Sequence, residues 1–178
     1  MAERENKKRR GRRAYLEDFH KTATGEYVYE GEVHHFRPGR LTWKQAMLRL
    51  WLCTGVMIAG VVAAGVVPAA GPRNTVYVVL PYALSLVAVV ALTWLMARLT
   101  AGGEHLRDYV YKATGAQFTP RGVFVMVCAA LAAAGQLVHL LLGGAGDRLA
   151  GSLAFVALEG AVFAAALVWW RLARTLNW

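Results

Sequence analysis

Four stretches of this chain run for more than 20 residues with at most one formal charge each, and nothing constrains its fold more. Leu50–Pro72 spans 23 residues, Asn74–Ala97 spans 24 and Gly122–Gly146 spans 25, while Leu149–Trp170 spans 22 with a single acid, Glu159. At 1.5 Å rise per residue, about 20 apolar residues cross the roughly 30 Å of hydrocarbon in a bilayer. One such run is compatible with a buried soluble helix; four in 178 residues point to a polytopic membrane protein. Composition agrees, because 57% hydrophobic against 17% charged residues leaves too little polar surface to cover a soluble domain. An ordinary soluble enzyme and a disordered chain are both excluded.

The expected fold class is an all-α integral membrane protein with four transmembrane helices arranged as two tandem helical hairpins. Of the 20 Lys and Arg residues, 18 lie before the first run, between the second and third, or after the fourth; only Arg73 and Arg148 lie on the other side. The positive-inside rule then places both termini and the central loop in the cytoplasm of a multi-pass plasma-membrane protein. The expected organisation is a basic tail with a short hairpin-like segment over 1–43, a first two-span hairpin over 44–99, a cytoplasmic loop over 100–121 and a second two-span hairpin over 122–178. Pro68-Ala-Ala-Gly-Pro72 and Gly143-Gly-Ala-Gly146 read as tight outer turns. About 45 mostly polar residues precede the first run, which reads as an uncleaved anchor rather than a signal peptide.

An internal echo suggests a parallel repeat. Glu26-Tyr-Val-Tyr29 and Asp108-Tyr-Val-Tyr111 are near copies, followed by Phe36-Arg-Pro38 and Phe118-Thr-Pro120 at the same offset of 82. The far ends match at offset 76, as Trp94-Leu-Met-Ala-Arg98 and Trp170-Arg-Leu-Ala-Arg174. Two copies that both start and end inside are related by an axis along the membrane normal. Offset 82 sets Thr54 against Gln136, and offset 74–76 sets Ser85 against Glu159. All four are expected near the bilayer midplane, with His139 on the Gln136 face one turn further out. An acid at that depth costs roughly 2.5–3.5 kcal/mol on insertion scales and needs an interior partner, for which Gln136 and His139 are the expected candidates. The preferred role for Glu159 is a protonated interhelical hydrogen-bonding group; the sharper reading is a proton or cation site exchanging with His139.

Small residues recur at helical spacing: Gly55, Ala59 and Ala63 with Gly60 and Ala64, then Ala130 and Ala134, then Ala157, Ala161 and Ala165 with Gly160 and Ala164. They exceed what one compact bundle needs, so a second copy or another membrane protein is an expected partner. The basic run Lys7, Lys8, Arg9, Arg10, Arg12 and Arg13 lacks the aromatics of a nucleic-acid stacking platform, and beside a membrane its expected contact is anionic lipid. Glu26–Phe36 reads as a hairpin turning at Gly31, with a twin over 108–120 turning near Thr114-Gly115, and the two elements on one face are candidates to pair into a small cytoplasmic cap. His34 and His35, with Glu30, Glu32 and His20, match no metal-site template, and no metal or cofactor is expected. Cys53 and Cys128 read as small packing groups within spans.

No catalytic signature appears, so no enzymatic activity is expected. The Val76–Tyr82 string and the Tyr-Val-Tyr lead-in resemble small bacterial membrane proteins, without implying an activity, and 15 Arg against 5 Lys suits a GC-rich bacterium. The expected role is a non-enzymatic accessory or scaffold subunit. The alternative is a small proton- or cation-coupled transporter acting as a dimer, with Glu159, Gln136 and His139 lining its path.

Overall fold

A computed structural model describes residues 19–21, 27–29, 32–37, 41–71, 75–143 and 146–176. Four long helices dominate: α1 (Trp43–Val66), α2 (Val76–Gly102), α4 (Phe118–Leu141) and α5 (Leu149–Arg174). Each is long and apolar enough to cross a membrane. Between α2 and α4 lie β4 (His105–Arg107), the short helix α3 (Asp108–Ala113) and a 3-10 turn, Gly115–Gln117. Among the described residues, three short strands precede α1: β1 (Phe19–Lys21), β2 (Tyr27–Tyr29) and β3 (Val33–His35).

Local chemistry sets the helix ends. Helix α1 starts seven residues before its apolar run because Thr42 and Gln45 form a capping box. The Thr42 hydroxyl accepts from the Gln45 amide at 3.4 Å, and the Gln45 side chain accepts from the Thr42 amide at 3.3 Å. Helix α2 carries Pro81 in its second turn, so the Tyr77 carbonyl has no intrahelical donor there. Gly135 of α4 lies against that carbonyl, where a Cβ would come within 2.7 Å of the oxygen. Only a residue without a side chain permits this approach of two helix backbones.

The four helices form a ring in the order α1–α5–α4–α2. Helices α4 and α5 pack most extensively, α1 lies along α5 and α2 along α4, while α1 and α2, although consecutive, touch least of the four neighbouring pairs. The core fills this ring with large apolar side chains, among them Leu50, Met57, Leu92, Met96 and Trp169, and a smaller cluster around Phe155 and Val78 lies towards the connections between paired helices.

The pieces at the opposite end depart from the expected hairpins. Strand β2 pairs with β1, through Tyr29 opposite Phe19, whereas β3 pairs with β4, His34 opposite Leu106. The segment before α1 is therefore tied to the connection after α2, a long-range register that local turn chemistry does not reveal. The expected twin hairpin over 108–120 is helix and 3-10 turn instead. Tyr27-Val-Tyr29 is a strand where Tyr109-Val-Tyr111 is helical, so the sequence echo does not extend to conformation. The tail bearing Lys7 to Arg13, the turn at Gly31 and parts of both Gly- and Pro-rich connections lie outside the described residues.

Candidate functional site

The polar residues expected in one layer are strung along the bundle. Thr54, Ser85, Gln136 and Glu159 are all fully buried, but only Ser85 and Glu159 meet. The Ser85 hydroxyl donates to Glu159 Oε2 at 3.3 Å, joining α2 and α5, which stand diagonally across the ring, at its centre. Thr54 donates to the Leu50 carbonyl one turn back at 2.8 Å, satisfying itself within α1.

Helix contacts fix the depths. Gly60 of α1 lies against Val162 and the Leu158 carbonyl of α5, so Glu159 is level with Gly60 and Val61. Thr54 is six to seven residues from that level, about 10 Å along the helix. Gln136 lies on the other side, its amide oxygen against Gly71 beyond the end of α1. Neither Gln136 nor His139 is the partner of Glu159. The Gln136 side chain, Oε1 and Nε2 alike, makes no hydrogen bond among the described residues, and neither does Glu159 Oε1. His139 instead pairs with the Tyr77 hydroxyl, 3.2 Å from its Nδ1, on an exposed part of the bundle.

Burial explains the misplaced register. Met47, Leu50, Thr54, Met57 and Val61 are buried on α1, and Gly122, Val125, Ala129, Ala132 and Gln136, 75 positions later, are buried on α4. Val78, Ser85, Ala88, Leu92, Leu95 and Leu99 of α2 correspond in the same way to Ser152, Glu159, Val162, Ala166, Trp169 and Ala173 of α5 at offset 74. Offset 82 differs from 75 by seven residues, two helical turns. Such a slip returns to the same face but displaces the partner by about 10 Å in depth. The sequence reading thus chose the right face of α4 and the wrong level.

The expected small-residue faces divide between inside and outside. Gly60 and Ala64 are buried, but Gly55 and Ala59 of α1, Ala130 and Ala134 of α4, and Ala157, Gly160, Ala161 and Ala164 of α5 are exposed. A Cβ at Gly55 or Gly160 would meet nothing within 4 Å. Around Gly55 the outer face of α1 forms an apolar groove lined by Leu48, Trp51, Leu52, Val56 and Ala59. On α5 the four small residues fall at i, i+3, i+4 and i+7, a continuous stripe.

A second polar cluster lies where β3 meets β4. His34 Nε2 donates to Asp108 Oδ1 at 3.1 Å, and Lys112 donates to the other oxygen at 2.6 Å. These two donors, Lys112 before His34, hold the Asp108 carboxyl below the usual carboxylate range. On the opposite face of the ribbon His35 and His105 bring their Nδ1 atoms to 2.7 Å, one donating and the other accepting. Sequence reasoning singled out His34, His35 and Glu32 but not Asp108 or His105, whose contributions depend on a pairing of segments 70 or more residues apart.

Among the described residues, fold and site together define a bundle of four long helices with membrane-spanning dimensions, a single buried acid at the centre of its core and small residues on its outer faces. No family model matches the chain, and neither a curated protein nor a solved structure matches it.

Proposed function

We propose that this chain is a multi-pass plasma-membrane protein, with both termini cytoplasmic, that acts as a non-enzymatic accessory or scaffold subunit packed against itself or another membrane protein. The observation that carries this reading is the outward display of Gly55 and Ala59 on α1 and of Ala157, Gly160, Ala161 and Ala164 on α5. Lipid tails are as apolar as leucine, so transmembrane helices associate through close backbone approach, which small residues permit. A bundle with no partner gains most by turning such residues inward; here a large share faces out. The basic residues Lys7 to Arg13 suit anionic lipid on the cytoplasmic surface, following the Lys and Arg asymmetry. The buried-face correspondences at offsets 75 and 74 support descent from a duplicated two-helix unit, with Ser85 and Glu159 as equivalent positions meeting at its axis.

The test is cross-linking in native membranes with a cysteine at Ala161 and with Cys53 and Cys128 replaced by alanine. A cross-linked species, lost when Gly160 is also changed to Leu, is the expected result. An uncross-linked chain in native membranes, running as a monomer, contradicts the reading.

One observation favours a second reading, a proton- or cation-coupled transporter: the Glu159 carboxyl lies buried at the bundle centre with Oε1 making no hydrogen bond among the described residues. Against it stand the separation in depth of Thr54, Glu159 and Gln136 and the position of His139 beside Tyr77. A proton flux in proteoliposomes that Glu159→Gln abolishes would establish the transporter and displace the scaffold.

A further inference from the structure

The β3–β4 ribbon brings together side chains that no stretch of the sequence contains. The Asp108 amide donates to the Glu32 carbonyl and the Phe36 amide to the Glu104 carbonyl, each at 3.0 Å. These bonds mark the hydrogen-bonded pairs and leave His35 and His105 as a non-hydrogen-bonded pair between them. Glu32 and His34, two residues apart, share one face of the strand, and Asp108, opposite Glu32, shares it too. One ligand atom from each of Glu32, His34 and Asp108 lies within 4.8 Å of the other two.

We propose that Glu32, His34 and Asp108 bind a first-row divalent transition-metal ion of the zinc type. The His34 Nε2–Asp108 Oδ1 separation of 3.1 Å is close to the donor–donor edge, about 3.3 Å, of a tetrahedron whose metal–ligand bonds are about 2.0–2.1 Å. Two further features prepare the site. Tyr111 stacks on the imidazole of His34, ring centroids 4.2 Å apart and planes 29° apart, which fixes the ring's direction. Lys112 engages Asp108 Oδ2, leaving Oδ1 directed at His34. One imidazole nitrogen with two carboxylates suits zinc and its neighbours, whereas calcium and magnesium favour oxygen alone and thiolate-seeking ions find no sulfur here. With three protein ligands and Glu32 at the surface, water completes the coordination.

The inference is independent of the scaffold reading and gives the site a structural consequence. Glu32 and His34 precede α1, and Asp108 follows α2, so a bound ion pins the segment before the first long helix to the connection between the second and third. His35 and His105, on the reverse face, supply an internal control with two nitrogens and no carboxylate between them.

The test uses the full-length protein in detergent, stripped with chelator and dialysed against micromolar Zn2+. The expected result is one zinc retained per chain, at least tenfold weaker binding in His34→Ala and in Asp108→Asn, and unchanged binding in the His35→Ala/His105→Ala double variant. Co2+ in the wild-type protein should give the visible absorption of a four- or five-coordinate site, a readout that needs no variant to fold. Absence of stoichiometric zinc in the wild type overturns the proposal and leaves the cluster as an ion pair bridged by Lys112. Loss of zinc in the His35/His105 variant with retention in His34→Ala overturns it as well, by moving the ion to the other face.

Discussion

The two pairs of consecutive helices are held together differently. Helices α4 and α5 pack backbone to ring: Gly122 receives the indole of Trp169, with ring atoms 3.1 and 3.2 Å from where a Cβ would stand, and Phe118 meets the same ring edge-on at 5.2 Å. Helices α1 and α2 touch little, and among the described residues two side-chain hydrogen bonds span them, Trp51 Nε1 to Thr100 at 3.0 Å and the Tyr82 hydroxyl to the Val61 carbonyl at 3.1 Å. Connection along the chain therefore does not decide which helices share a core. Helix α1 buries its inner face against α5 and α2 buries its own against α4, so the first pair depends on the second for its packing.

That dependence can be broken from the tight side first. Gly122→Leu drives a side chain into Trp169 and the Cβ of Trp170, and overpacking at a site with no room to relax should cost about 3 kcal/mol. Thermal unfolding in detergent measures it, and α1 and α2 should lose protection from proteolysis together with α4 and α5. Glu159→Ala, at the centre between the pairs, removes the acceptor of Ser85 and leaves a void, with an expected loss of about 2 kcal/mol. Glu159→Gln keeps an acceptor for Ser85 and should stay within about 0.5 kcal/mol of the wild type. Trp51→Phe and Tyr82→Phe each delete one hydrogen bond of the loose pair and should cost about 1 kcal/mol apiece. Gly55→Ala adds a methyl group to open space and should leave the isolated protein unchanged in the same melts, within about 0.5 kcal/mol.

Much of this was legible in the sequence because hydrophobic length is a local property. Every uncharged run became a long helix, but the contact of Ser85 with Glu159 was not foreseen, because an offset between repeats aligns two positions without saying that they touch. The start of α1 at Trp43 was not visible in the apolar pattern, since the Thr42–Gln45 capping box is polar. Gln136 was assigned to the level of Glu159 because helical periodicity reports the face a residue occupies and repeats every two turns without fixing depth. The ribbon was harder still. Strand pairing between Val33–His35 and His105–Arg107 joins segments separated by an entire helical pair, and no local turn signal announces it. The partnership of His34 with Asp108 follows from that register alone.

The account rests on four membrane crossings with the ribbon end in the cytoplasm, and accessibility of single cysteines in intact cells tests it most directly. In a background with Cys53 and Cys128 replaced by alanine, cysteines at Ala70 and Asp147, near the short connections, should react with a membrane-impermeant thiol reagent added outside. Cysteines at Ala101 and Thr175, at the ribbon end, should react only after the membrane is permeabilised. Labelling at Ala101 in intact cells, or protection at both Ala70 and Asp147, would contradict the four-crossing arrangement.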